Sequence, residues 1–388
     1  MTPQEQMEQL CAGVNQVHSK DELLEKLKQG KALRVKLGFD PSSPDLHLGH
    51  AVVLDKVRQF QNLGHQAIII VGDTTASIGD PTGKSKTRPP LQPEEIERNA
   101  KTYTDQVFKI IDEGATEVRR NGEWFNKFTY ADVLKLNARI SVARLLERDD
   151  FQKRYREGVS ITLTEFQYPL MQGWDSVMVK SDVELGGNDQ LFNNLVGRDL
   201  QRSEGQEPQV VMVMPILTGT DGVEKMSKSL NNYIGLTDAP DEMFGKAMSI
   251  SDETMNDWWP VLQEGYQLGG QPDHPMDAKK HLGCQIVARF HGAEQGESAV
   301  KQFELKFSKK TLDDAELESY QVSENPIWIG KLLQESGAVK SGGDARRLVQ
   351  QGAVKIDGEK FTDPKGNLDV SGGMILQAGK KFFRKLQA

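Results

Sequence analysis

The sequence predicts an α/β protein: a Rossmann-like parallel-sheet domain with a helical insertion, then an α-helical domain, then a small α+β module. Three observations carry that prediction. Short apolar runs alternate with amphipathic helical stretches through the first half. A charged helical segment interrupts them, and the last fifty residues change to a basic composition. Apolar strands alternating with helices imply a parallel sheet covered on both faces.

The elements follow in order. Leu33-Arg34-Val35-Lys36-Leu37 reads as a short strand, Gly49 to Leu63 as an amphipathic helix, and Ala67-Ile68-Ile69-Ile70-Val71 as a fully buried strand. Pro93 opens a long helical pattern, in which Ile96, Tyr103, Val107, Phe108, Ile110 and Ile111 recur near helical spacing. Between Asn121 and Gly158 the chain is helical and charged, as suits an insertion (about residues 121–160) between two halves of a sheet. Val177-Met178-Val179 to Leu185, and Val210 to Met214, supply later strands. This first domain is expected to span residues 1–238. Residues 239–325 read as helical, with Trp258, Trp259, Val261, Leu262 and Ile286 as core. In the last part, 326–388, Ser341 to Val349 reads as an N-capped helix, and Gly352 to Gly358 as strand and turn.

Composition narrows the class. No stretch reaches the ~18 uninterrupted apolar residues of a membrane helix, and the N-terminus lacks a basic segment followed by an apolar one. Only Cys11 and Cys284 are present, far apart. That argues against disulfides and a cysteine-based zinc site, and for a reducing cytoplasm. The net charge is −8, but from Lys340 to the end ten Lys and Arg face five Asp and Glu. That segment therefore carries +5 and the remainder −13. A basic module on an acidic body is expected where one part meets phosphates; a merely solvated tail explains the charge equally well.

The chemistry lies in two separated motifs. Leu37-Gly38-Phe39-Asp40-Pro41 ends a strand, and His47-Leu48-Gly49-His50 opens a helix. A helix N-terminus offers unpaired N–H groups and partial positive charge, both suited to a triphosphate. Gly49 lets a base or ribose lie against the backbone. His47 and His50, at i and i+3, can donate to phosphate oxygens. The blander reading is an incidental histidine pair or half a metal site, of which metal binding is the weaker option, with no third ligand near and few cysteines. Far downstream, Lys225-Met226-Ser227-Lys228-Ser229 forms a polar loop whose lysines can neutralise departing pyrophosphate. Together these motifs point to activation of a carboxylate by ATP.

Three further stretches add detail. Thr82-Gly83-Lys84-Ser85 resembles the end of a P-loop, but Ile78 stands where that motif needs glycine. Asp80, after Gly72 to Gly79, lies where open α/β sheets bind ligands. Tyr168, Gln172 and Asp175, at i, i+4 and i+7, share one helix face and could fix an amino group beside a phenol-sized pocket; taken alone, the trio reads better as an ordinary polar face. Gly186-Gly187-Asn188-Asp189-Gln190 allows close backbone approach after a strand.

On these residues the chain resembles the bacterial tyrosyl-tRNA synthetases of class I. The stretches are Gly38-Phe39-Asp40-Pro41, His47 to His50, Ile78-Gly79-Asp80-Pro81-Thr82-Gly83-Lys84, Tyr168 to Asp175, Gly186 to Gln190 and Lys225 to Ser229. The final part is similar to the S4 class of RNA-binding domain, and the helical part would lie on the anticodon side. The resemblance implies tyrosine plus ATP giving tyrosyl-adenylate and pyrophosphate, then transfer to the terminal ribose of tRNA(Tyr). It places His47, His50, Lys225 and Lys228 on the triphosphate, with Asp40, Gly49, Gly187 and Asp189 also facing ATP. Asp80, Tyr168 and Gln172 would hold the substrate ammonium, Asp175 the phenol hydroxyl, and Gly38 and Gln190 would lie near the amino acid. Arg346, Arg347 and Lys355 would meet tRNA. Mg²⁺ would arrive with ATP, no bound zinc is expected, and the insertion would form a homodimer. A tryptophanyl-type enzyme is the alternative, disfavoured by Tyr168, Asp175 and the basic tail. One departure stands out. Many relatives carry a tyrosine two residues before the glycine of Gly-Phe-Asp-Pro, whereas this chain has Lys36, as in a second bacterial subgroup; Lys36 is assigned no contact with the substrate hydroxyl. Leu48, where isoleucine is commoner, is an apolar swap.

Overall fold

The computed structural model describes residues 1–41, 45–80, 93–307, 317–379 and 382–387. Thr82-Gly83-Lys84-Ser85, Pro81, and the basic pair Lys380 and Lys381 lie outside them. The described residues form two compact units, Met1–Gly296 and Glu297–Ala388.

The first unit is built on a six-stranded sheet. Its strands are β1 (Gln16–His18), β2 (Arg34–Phe39), β3 (Gln66–Val71), β4 (Thr116–Arg120), β5 (Val183–Gly187) and β6 (Val210–Met214), in the order β1-β6-β5-β2-β3-β4. All neighbours are parallel except the edge pair β1–β6. β3 and β6 are buried almost throughout because helices cover both faces, which is why they are continuous apolar runs. The strand order reverses between β2 and β5, and such a switch point opens a crevice at the carboxyl ends of the two strands.

The helices are α1 (Pro3–Cys11), α2 (Lys20–Lys28), α3 (Leu48–Asn62), α4 (Pro93–Val107), α5 (Gly122–Phe125), α6 (Tyr130–Asn137), α7 (Val142–Leu145), α8 (Asp149–Arg156), α9 (Leu163–Val179) and α10 (Leu191–Ser203). Then come α11 (Pro240–Ser249), α12 (Asp252–Leu262), α13 (Pro275–His291) and α14 (Ala293–Phe307). Helices α5 to α8 occupy the predicted insertion.

Three expectations need correction. Val177-Met178-Val179 is the last turn of α9, not the start of a strand. The β-branched residues suggested a strand, but Val177 is buried against Leu170, Val196 and Leu200 of the α9–α10 pair. The helix stops only at Lys180, in the left-handed region at φ 48. Helix α4 ends at Val107, so Ile110 and Ile111 are buried in the following turn. In α12, Trp258, Trp259 and Leu262 are buried as expected, and Ile286 likewise in α13, but Val261 is only half-buried.

The second unit pairs α15 (Ile329–Glu335) and α16 (Gly342–Gln350) with short strands: β7 (Ser319–Gln321), β8 (Ile327–Trp328), β9 (Val354–Ile356), β10 (Glu359–Lys360), β11 (Asn367–Leu368), β12 (Ile375–Ala378) and β13 (Phe382–Gln387). Five form a sheet in the order β10-β9-β12-β13-β7, and β8 pairs with β11. Ile327, Leu332, Val349, Val354, Leu376 and Leu386 make its core. As read from sequence, Ser341 caps α16, its Oγ accepting from the Asp344 N–H at 3.2 Å.

Candidate active site

The crevice at the switch point is a cavity of about 830 Å³. It gathers the sequence-predicted site residues of the first unit: Gly38, Asp40, His47, Gly49, His50, Asp80, Tyr168, Gln172, Asp175, Gly187, Asp189, Gln190, Lys225 and Lys228 all line it. Arg346, Arg347 and Lys355 belong to the second unit. Arg346 and Arg347 are exposed on α16, Arg346 lying 5.6 Å over the Trp328 ring and Arg347 paired with Asp344, while Lys355 is half-buried on β9.

One wall is the start of α3. His47 is its N-cap, and the backbone N–H of His47 donates to His50 Nδ1 at 3.2 Å. Neutral His50 therefore carries its proton on Nε2, free to act as a donor. The rings stand 3.9 Å apart. Burial, then its neighbours His50 and Lys228, pushes His47 down to about 2; burial and Lys228 push His50 down to about 4. At neutral pH both are uncharged hydrogen-bond donors, not cations. Gly49 has a reason the sequence did not disclose: a Cβ there would come within 3.1 Å of the His47 ring. It keeps that ring in place.

Beside it lies the lysine segment, Met226 coming against Gly49. Met226 is 5% exposed and plugs into the protein like a peg. Buried Asn232 staples the segment, accepting from Ser227 N at 2.8 Å and donating to Asp221 at 2.7 Å and the Lys225 carbonyl at 3.2 Å. Lys225 pairs with Asp189 at 2.9 Å and Lys228 with Asp45 at 2.7 Å. Lysine cations thus stand beside neutral imidazole donors, His47 and Lys228 sharing the Tyr233 ring, an arrangement suited to a polyphosphate chain.

The floor is supplied by α9. Tyr168, Gln172 and Asp175 lie along one face of it, as predicted. The Tyr168 hydroxyl donates to Asp40 at 2.7 Å, and the Thr75 hydroxyl donates to the other Asp40 oxygen at 2.7 Å. Burial, with Asp40 beside it, holds the Tyr168 phenol well above the usual tyrosine range. Asp175 accepts from Trp124 Nε1 at 3.0 Å and more weakly from Asn121 Nδ2 at 3.4 Å. Burial raises its carboxyl to about 7, against the opposing pull of Lys36. Beneath it, Lys36 is fully buried, and its ammonium donates to Glu184 at 2.7 Å, Ser176 Oγ at 2.8 Å and the Gln172 carbonyl at 3.0 Å. An ammonium has three protons. All three are committed inside the protein, so Lys36 is a fixed charge rather than a substrate contact.

Asn121, Trp124, Thr75, Arg148, Asn193 and Asn232 were not singled out from sequence. Asn121 and Trp124 sit at the head of the insertion, about fifty positions from Asp175. Only the parallel pairing of β3 with β4 brings them there.

This cavity, at the switch point of a parallel sheet with paired histidines at a helix start and a lysine loop beside them, defines a nucleotide-activating α/β enzyme. The family described as tRNA synthetases class I (W and Y) matches residues 28–319, and the S4 domain matches residues 320–367. The chain belongs to that synthetase family and carries an S4 domain. It is 49% identical over 391 residues to the tyrosine–tRNA ligase of Aquifex aeolicus, covering 100% of this chain and 99% of the relative. With the tyrosine–tRNA ligase of Thermotoga maritima it shares 50% identity over 394 residues, covering 99% and 98%. Solved structures share the fold. The C-terminally truncated mitochondrial tyrosyl-tRNA synthetase of Aspergillus nidulans has a TM-score of 0.63 at 21% identity, covering 79% of this chain and 94% of that one. The tyrosyl-tRNA synthetase of Archaeoglobus fulgidus, complexed with L-tyrosine, has a TM-score of 0.61 at 22% identity, covering 77% and 99%.

Proposed function

We propose that this chain is a tyrosine–tRNA ligase, and the observation that carries the proposal is buried Asp175 at the floor of the cavity. A carboxylate there, held by Trp124 and Asn121, can accept a hydrogen bond from a phenol hydroxyl. An amino acid without that hydroxyl shuts water from Asp175 without replacing it by a third donor beside Trp124 and Asn121, and under-satisfying a buried acceptor costs about 1–3 kcal/mol. An indole carries its one N–H donor on the five-membered ring rather than at the tip where a phenol presents its hydroxyl, so the tryptophanyl alternative is disfavoured.

In the proposed reaction a tyrosine carboxylate oxygen attacks the α-phosphorus of ATP and pyrophosphate leaves; a hydroxyl of the 3′-terminal ribose of tRNA(Tyr) then attacks the tyrosyl carbonyl of the adenylate, forming the ester and releasing AMP. Mg²⁺ would enter with ATP. Asp80, Tyr168 and Gln172 would set the ammonium end, with Gly38 and Gln190 beside it. Asp40, Gly49, Gly187 and Asp189 would lie along the nucleotide. His47, His50, Lys225 and Lys228 would stabilise the charge that builds on the leaving pyrophosphate, so the chemistry needs positioned donors and no covalent nucleophile. Arg346, Arg347 and Lys355 would meet tRNA phosphates in the S4 domain, and the catalytic body, the helical segment and the S4 domain would act as three functional parts. Amino-acid-dependent pyrophosphate–ATP exchange tests the reading. Tyrosine should stimulate it; stimulation by tryptophan, or by no amino acid, would refute it.

We further propose a cytoplasmic homodimer. Among the described residues no helix is long and apolar enough to cross a membrane. The insertion and the start of α9 expose Tyr130 at 78%, Val142 at 59%, Tyr155 at 68% and Leu163 at 79%. Exposed apolar groups concentrated on one segment suit a protein interface. Light scattering should give twice the 43.3 kDa chain mass, and Leu163→Asp should shift the protein toward monomer.

A further inference from the structure

Four side chains close a ring at the amino-acid end of the cavity. Gln190 Nε2 donates to Asp80 Oδ2 at 2.8 Å, and Asn193 Nδ2 donates to Gln190 Oε1 at 3.2 Å. Arg148 Nη1 donates to Asn193 Oδ1 at 3.3 Å, and Arg148 Nη2 returns to Asp80 Oδ1 at 3.6 Å. Asn193 Nδ2 also reaches Gln172 Oε1 at 3.0 Å. Three residues assigned to the amino acid from sequence are therefore fixed by two that were not, Arg148 and Asn193.

The burial gradient shows which members act on ligand. Arg148 is 5% exposed and Asn193 1%, whereas the Asp80 side chain is 24% exposed and faces the cavity. Arg148 uses a separate nitrogen for each partner, its Nε donating to Asp150 at 2.8 Å, while its guanidinium also lies 4.8 Å over the Phe151 ring. The planar fork fixes the direction of each of these contacts. Arg148 approaches Asp80 from behind at ion-pair rather than hydrogen-bond distance. The carboxylate is held in orientation from behind while its partly exposed side chain lines the cavity.

We propose that Arg148 and Asn193 are positioning residues for the substrate ammonium, acting through Asp80 and Gln190 without touching the substrate. The inference rests on the tyrosine reading above. Arg148 immediately precedes α8, so it also ties the insertion to the amino-acid end of the site.

The test compares binding of tyrosine and of its amine-free analogue 3-(4-hydroxyphenyl)propionate to the full chain, by equilibrium dialysis. Arg148→Gln should raise the tyrosine Kd about 10- to 100-fold, as expected when the buried charge that orients the Asp80 carboxylate is lost. Binding of the analogue and the KM for ATP should stay near parental values, and Arg148→Lys should restore only part of the loss. Unchanged or tighter tyrosine binding, or equal weakening of both ligands, overturns the proposal. Should Arg148→Gln fail to fold, Asn193→Ser opens the ring from the other side and is read in the same way. Failure of the tyrosine reading looks different: the parent enzyme would not bind tyrosine, or Asp80→Asn would leave its affinity intact.

Discussion

Lys228→Ala is expected to slow tyrosine-dependent pyrophosphate exchange about 10²- to 10³-fold, the usual cost of removing a positioned donor from developing charge. The tyrosine Kd should move by less than about two-fold, because the lysine meets only the leaving group. Lys225→Ala should cost less. The Lys228 side chain is 21% exposed, against 52% for Lys225, and a charge further from water is screened less. Exchange kinetics beside equilibrium tyrosine binding measure both effects. Parallel losses in rate and tyrosine affinity would show that the segment shapes the whole cavity rather than serving pyrophosphate.

Asp175→Asn should lower kcat/KM for tyrosine about 10- to 100-fold, as expected for loss of a hydrogen bond to a charged acceptor, and weaken the rejection of phenylalanine. The same change should stabilise the fold in alkaline solution. The Asp175 carboxyl lies at about 7 in the folded chain because burial disfavours its charge, against about 3.9 when unfolded. The folded state thus holds the proton more tightly. The stability this gives is complete below about pH 4 and is lost as pH rises through about 7. Asparagine abolishes that loss, up to about 4 kcal/mol at pH 8 and almost none at pH 4. Urea midpoints at pH 5 and pH 8 measure it: the gap between variant and parent should widen with pH, and a constant gap would contradict it.

How legible these features were depends on the range of the interactions. β3 and β6 were visible because a strand buried on both faces leaves an unbroken apolar run. β1 and β4 were not: each lies at a sheet edge, one three residues long and the other half-exposed, so neither needs an apolar pattern. Val177 to Val179 misled because local β-propensity lost to packing between α9 and α10. The site divides in the same way. Histidines, lysines and the α9 trio sit in short motifs and declared themselves. Asn121 and Trp124 beside Asp175, and Arg148 beside Asp80, come from pairings across tens of residues, and only a folded sheet and insertion disclose them.

The buried Lys36–Glu184 pair makes two positions inseparable. They are direct partners across β2 and β5, and the same glutamate accepts from Ser176 at 3.1 Å and from Gln209. If Lys36 alone became neutral, Glu184 would be stranded near Asp175 as a second carboxylate in a dry pocket, and one of the two would have to keep its proton. The route from lysine to an uncharged residue at position 36 therefore passes through a double change, because altering residue 184 first would strand the buried Lys36 ammonium in turn. Two lineages of this enzyme that differ at position 36 would be separated by a valley that single substitutions do not cross, and residue 184 would record which side each occupies.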